Sequence, residues 1–163
     1  MKKYCALLVV AFASLYTVTA QDISPNTIGI RIGGNEGFGT EVSYQRALSD
    51  ENRLELGLGW RDAEDFNAFR LTGIYQWVWH LDGNFNWYAG AGAVVGVFDF
   101  DNDLINSDDL DTLFINAAGN VGIEYDFDIP LLLSLDFRPE FGITNDIDDS
   151  FEFEVALGIR YQF

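Results

Sequence analysis

Cysteine occurs once in this 163-residue chain, as Cys5, and lysine only as Lys2 and Lys3. All three fall in an opening stretch with the parts of an export signal. The two lysines are followed by the short apolar run "YCALLVVAFASLY" and by "VTA", which ends at Ala20 with small residues where a signal peptidase reads. The run is too short to cross a bilayer as a helix, and Cys5 comes too early for a lipoprotein cleavage box. Residues 1–20 are therefore expected to be a cleaved signal peptide, and 21–163 one mature domain. Without Cys5 that domain has no thiol, which excludes a disulfide scaffold and a cysteine nucleophile.

Positive charge is equally scarce. Of 9 basic residues the signal takes Lys2 and Lys3, leaving 7 arginines against 26 acidic residues, a formal charge near −19. Such a surface repels phosphate backbones, so nucleic acid is not an expected partner. Acidity on this scale often accompanies disorder, but 48% hydrophobic and 15% aromatic residues are too apolar for a solvated tail. His80 is the only histidine. No nucleophile with a base, no glycine-rich phosphate loop ahead of a helix and no metal-spaced His/Cys set is present, so no catalytic residue, cofactor or metal centre is expected.

What the chain does have is alternation. From Phe151 to Phe163 every odd position is apolar (Phe151, Phe153, Val155, Leu157, Ile159, Tyr161, Phe163), and the even positions are Glu152, Glu154, Ala156, Gly158, Arg160 and Gln162. A helix would smear both sets around its circumference; a strand separates them. The pattern recurs in "TIGIRIGG", "EVSYQRAL", "RLELGLGWR", "FRLTGIYQWVWH" and "LLLSLDFR", and "WYAGAGAVVGV" and "LFINAAGNVGIEY" complete eight strands. Most are long enough to cross a membrane at a barrel's tilt. Short turns "SDEN", "LDGN" and "DFDIP" alternate with a second set, in which "GNEGF" is also short but "DAEDFN", "DFDNDLINSDDLD" and "EFGITNDIDDS" are acidic. Short turns at one end and longer loops at the other suit an outer-membrane barrel. The expected fold is all-β: an eight-stranded antiparallel up-and-down transmembrane β-barrel.

The polar faces decide which side is out. They carry Arg31, Glu41, Glu55, Arg61, Arg70, Glu124, Asp136, Arg138, Glu152, Glu154 and Arg160, interleaved with glycines and with no lysine. A water-facing surface would use lysine and avoid glycine in strand centres. A cramped lumen uses small residues for room and pairs arginine forks with carboxylates. These eleven residues are read as a charge network filling the interior, in preference to an ion path. Aromatics form two bands on the apolar faces, one including Trp77, Trp79 and Trp87 beside the short turns, the other Trp60, Phe69, Phe137 and Phe153 at the opposite ends. Two such bands are the girdles of a bilayer-spanning barrel.

The stretches "WYAGAGA" (87–93), "GNVGIEY" (119–125), "IPLLLSLDFRP" (129–139) and "GIRYQF" (158–163) resemble those of the small outer-membrane β-barrel family that includes the OmpA transmembrane domain and OmpX-like proteins. The resemblance spans the whole mature chain. It implies a bacterial outer-membrane location, outer-membrane lipids as surroundings, and Tyr161 and Phe163 as the signal read by the barrel-assembly machinery. It leaves the extracellular partner open. A structural or surface-interaction role without catalysis is favoured; the alternatives are a narrow porin-like channel and a lipid-modifying enzyme. The enzyme would need His80, which the topology puts at the periplasmic rim, away from the outer leaflet. A soluble lipocalin-like binder is a further alternative. Asp99, Asp101 and Asp103 open a stretch like an EF-hand loop, but Leu104 and Leu110 replace its glycine and its glutamate. With Asp146, Asp148 and Asp149 they are read as a solvated acidic rim capable of weak divalent-cation association.

Overall fold

The computed structural model describes residues 23–33, 39–63, 66–100, 112–143 and 151–163. Residues 1–20, expected as a signal peptide, and most of the stretches expected as two long acidic loops, including the EF-hand-like positions 101–110 and Asp146, Asp148 and Asp149, lie outside the described residues. The described chain forms eight strands: β1 (Asn26–Gly33), β2 (Thr40–Ala47), β3 (Asn52–Ala63), β4 (Phe66–Asp82), β5 (Phe85–Phe100), β6 (Thr112–Asp126), β7 (Leu131–Gly142) and β8 (Phe151–Gln162). They pair in chain order, all antiparallel, and β8 returns to β1 to close the barrel.

Each strand exists because its period-2 pattern gives one face to the interior and one to the exterior. Along β8 the described faces alternate from Glu154 onward, with Val155, Leu157, Ile159 and Tyr161 exposed and Glu154, Ala156, Gly158, Arg160 and Gln162 buried. Tight connections set the register. The β4–β5 hairpin closes through Gly83 and Asn84, where Gly83 takes φ 56°, a backbone open to glycine at little cost. Leu48 N–H donates to Asn52 O (2.8 Å) in the β2–β3 turn.

The register fixes the barrel's shape. A line run across the ladders from Ile28 passes through Tyr44, Leu56, Gly73, Ala93, Ala117 and Phe141 to Phe151 on β8. Ile28's own partner on β8 is Tyr161, ten residues along the strand. Eight strands with that stagger tilt by about 40° and leave an interior wide enough for side chains only. Neighbouring backbones come closest at two glycines. A Cβ on Gly29 would overlap the carbonyl oxygen of Ile159 on β8, and one on Gly92 would overlap that of Gly73 on β4. These two ladders, β8–β1 and β4–β5, lie on opposite sides of the barrel. Taken as corners, they divide it into two facing walls, β1–β4 and β5–β8.

The rim away from the short turns is uneven. β1 and β2 are 8 residues each, whereas β4, β5 and β6 run 17, 16 and 15. Part of that length occupies "DAEDFN", expected as a loop: β3 and β4 stay paired up to Ala63 and Phe66.

Candidate functional site: the charged lumen

The interior is charged and closed. Arg31, Arg53, Arg138 and Arg160 are at most 1% exposed and Arg70 is 6% exposed, alongside the buried carboxylates Glu41, Glu55, Glu124, Asp136, Glu140 and Glu154. Each of these arginines reaches a carboxylate on the opposite wall. Arg31 on β1 donates through Nη2 to Asp136 of β7 (2.7 Å) and also pairs with Glu154 of β8. Arg53 on β3 grips Glu124 of β6 with both terminal nitrogens, at 3.1 and 2.7 Å. Arg70 on β4 faces Glu154 (3.1 Å) and Glu140 (3.5 Å), and pairs with Glu41 on its own wall. From the other wall Arg138 spans to Glu41 (3.0 Å) and Glu55 (3.1 Å), and Arg160 to Glu55 (3.4 Å).

Neutral groups take up donors and acceptors the charges leave. Gln45 and Gln76 both donate to Glu55, at 2.7 and 3.0 Å, and Gln76 accepts from Arg53 Nε (2.6 Å). Arg160 donates to the hydroxyls of Ser43 (2.9 Å) and Ser134 (2.7 Å). Buried ions are tolerable only with partners and hydrogen bonds of this kind. An apolar cluster of Ile74, Val94, Phe114 and Ala118 fills the lumen face of β4–β6. The arrangement braces two walls and plugs the space between them. Among the described residues, no group of His, Cys, Asp and Glu is placed to hold a metal ion.

The expected network residues divide. Arg31, Glu41, Glu55, Arg70, Glu124, Asp136, Arg138, Glu154 and Arg160 are brought together inside. Arg61 and Glu152 are not: both are exposed. They share the parity of the lumen face but lie at the loop ends of β3 and β8. Two members escaped the sequence reading. Arg53 is the second residue of β3, and its parity with Glu55 was the available signal. Glu140 follows Pro139, where a strand would be expected to end, yet β7 continues: Pro139 stays paired with Phe153, and the β6–β7 ladder skips it. His80 is exposed, beside the Gly83 turn.

The exterior is the reverse of a water-soluble barrel. Ile30, Leu58, Leu71, Leu135, Leu157 and Ile159 are all at least 38% exposed. Trp79 stacks on Trp87 with ring centroids 4.4 Å apart, and Phe85 and Tyr125 meet edge-on at 4.7 Å beside the same turns. At the other end Trp60 and Phe69 are paired and exposed, and Phe141 lies 5.0 Å from Phe151. Trp77 is exposed in the turn-side band, and Phe137 hangs below the loop-side band with its ring 5.7 Å from Phe153. Trp79 and Phe69 are ten residues apart on β4, about 25 Å along the axis at the barrel's tilt, the height of a membrane barrel's apolar band. Tyr161 and Phe163 are exposed with parallel rings, and Phe163 exchanges backbone hydrogen bonds with Asn26.

Fold and interior together define a class, the small inside-out eight-stranded barrel. The particular likenesses are to solved structures of that class. The N-terminal β-barrel domain of Pseudomonas aeruginosa OprF superposes with a TM-score of 0.64 at 19% identity, covering 86% of this chain and 100% of that one. Ail, the attachment invasion locus protein of Yersinia pestis, gives 0.59 at 14% identity over 88% and 99%. Neisserial surface protein A gives 0.58 at 13% identity over 85% and 94%. At these identities the likeness establishes the fold. No family model and no curated protein matches the chain.

Proposed function

We propose that the chain is an integral outer-membrane β-barrel with a structural or surface-interaction role. The carrying observation is the inversion: leucine, isoleucine and tryptophan outside, arginine and glutamate inside. The apolar band seats the barrel in lipid, and the cross-lumen ion pairs hold it shut. The short turns face the periplasm, and the acidic loops present a surface to the exterior. Tyr161 and Phe163 serve as the assembly signal. The role is non-catalytic, and the acidic loops associate with divalent cations only weakly.

Cell fractionation with heat-modifiable gel mobility tests the seating: the chain is expected in the outer membrane, migrating as a compact band until boiled. Recovery in the soluble fraction overturns it. Planar-bilayer recording tests the plug, with no stepwise conductance expected. Reproducible conductance abolished by changing Arg70 or Arg138 replaces this reading with a channel. Lipid-modifying activity lost in His80→Ala replaces it with an enzyme.

A further inference from the structure

Arg46 stands apart from the five lumen arginines. It follows Val42 and Tyr44 on the outward face of β2 and is exposed. It pairs in register with Asn26, which bonds Phe163, so it lies at the turn-side aromatic band. Its polar contact among the described residues is to a neutral group: Nη1 donates to Asn26 Oδ1 at 2.7 Å. The same oxygen accepts from Tyr44 OH at 2.8 Å, so Asn26 is held in place to receive the guanidinium. One of five N–H donors is thereby used.

A cation on a lipid-facing surface at this depth is stable where it reaches a phosphate. The turn that follows β2 adds a second feature, since Asp50 and Glu51 are both exposed there. A cation on β2 followed by carboxylates in the turn suits a zwitterionic headgroup, phosphate against Arg46 and ammonium toward the turn. Ile28 (46% exposed) and Tyr161 (56% exposed) offer apolar surface alongside for an acyl chain. We infer that Arg46, positioned by Asn26 and Tyr44, binds the phosphate of a glycerophospholipid bearing a primary ammonium, in the periplasmic leaflet. This rests on the barrel being seated in lipid.

Native mass spectrometry of the folded full chain, released from detergent with dioleoyl-phosphatidylethanolamine, dioleoyl-phosphatidylglycerol or inorganic phosphate, tests the site. Retention of phosphatidylethanolamine is expected to fall about tenfold in Arg46→Gln and to recover in part in Arg46→Lys. In the paired change Asp50→Asn with Glu51→Gln, the preference over phosphatidylglycerol is expected to vanish while binding persists. Equal retention by the parent and Arg46→Gln overturns the site. So does full displacement by inorganic phosphate, or a parent that favours phosphatidylglycerol. Heat-modifiable mobility of each variant keeps these outcomes separate from failure of the barrel reading itself.

Discussion

Arg138 on β7 and Glu41 on β2 face each other across the lumen, Nη1 to Oε2 at 3.0 Å, with neither side chain more than 2% exposed. Glu41 also receives Arg70 and lies 3.8 Å from Arg31, so one carboxylate balances three guanidiniums. Glu41→Ala removes the carboxylate the three share inside a closed interior and leaves Arg138 with Glu55 alone. It is expected to lower unfolding stability by about 3–5 kcal/mol. Glu152→Ala, at an exposed position of similar sequence character, is expected to change it by less than about 0.5 kcal/mol. Urea titration in detergent, followed by tryptophan fluorescence, measures both.

The corner at Gly92 sets a second expectation. A methyl group there meets the β4 backbone, and overpacking of this kind costs about 1–3 kcal/mol. Gly73 on the neighbouring strand has only Leu56 Cδ2 nearby, at 3.9 Å. Gly92→Ala should refold poorly and lose the compact band on unboiled gels, whereas Gly73→Ala should match the parent or gain up to about 1 kcal/mol.

Leu157 is 47% exposed near the middle of the apolar band. Leu157→Arg is expected to cost about 2–4 kcal/mol in lipid vesicles, as charge at a bilayer midplane does. In a water-facing strand the same change is nearly neutral. Equilibrium refolding into vesicles separates the two.

Phe163 is 57% exposed, so its ring adds little to packing inside the protein. Phe163→Ala should still refold in detergent to a compact band. In cells it should accumulate in the outer membrane at a reduced level, read by fractionation and immunoblot. Unchanged accumulation would remove the assembly-signal role.

The fold was legible because alternation is a local property: Val155, Leu157 and Ile159 against Ala156, Gly158 and Arg160 need no knowledge of their neighbours. Strand number, hairpin order and the inward set of charges all follow from it. The limits of the lumen did not. Arg61 and Glu152 have the right parity, but parity does not say how far along a strand the enclosed interior extends. Glu140 was hidden for a related reason. A proline breaks a ladder on one side only, and Pro139 kept its pairing with β8. Partner choice was illegible too, since Arg138 meets Glu41 and Glu55 through the stagger accumulated around the barrel, and no short stretch of sequence records that sum.

The facing walls carry unequal charge. Among the described residues, β1–β4 bury Arg31, Arg53 and Arg70 with Glu41 and Glu55, and β5–β8 bury Arg138 and Arg160 with Glu124, Asp136, Glu140 and Glu154, so the buried set has one more carboxylate than guanidinium. A sealed interior of that sign is inhospitable to halide and welcoming to a small monovalent metal ion. If thermal breathing loosens the brace, the leak that follows will carry sodium or potassium ahead of chloride.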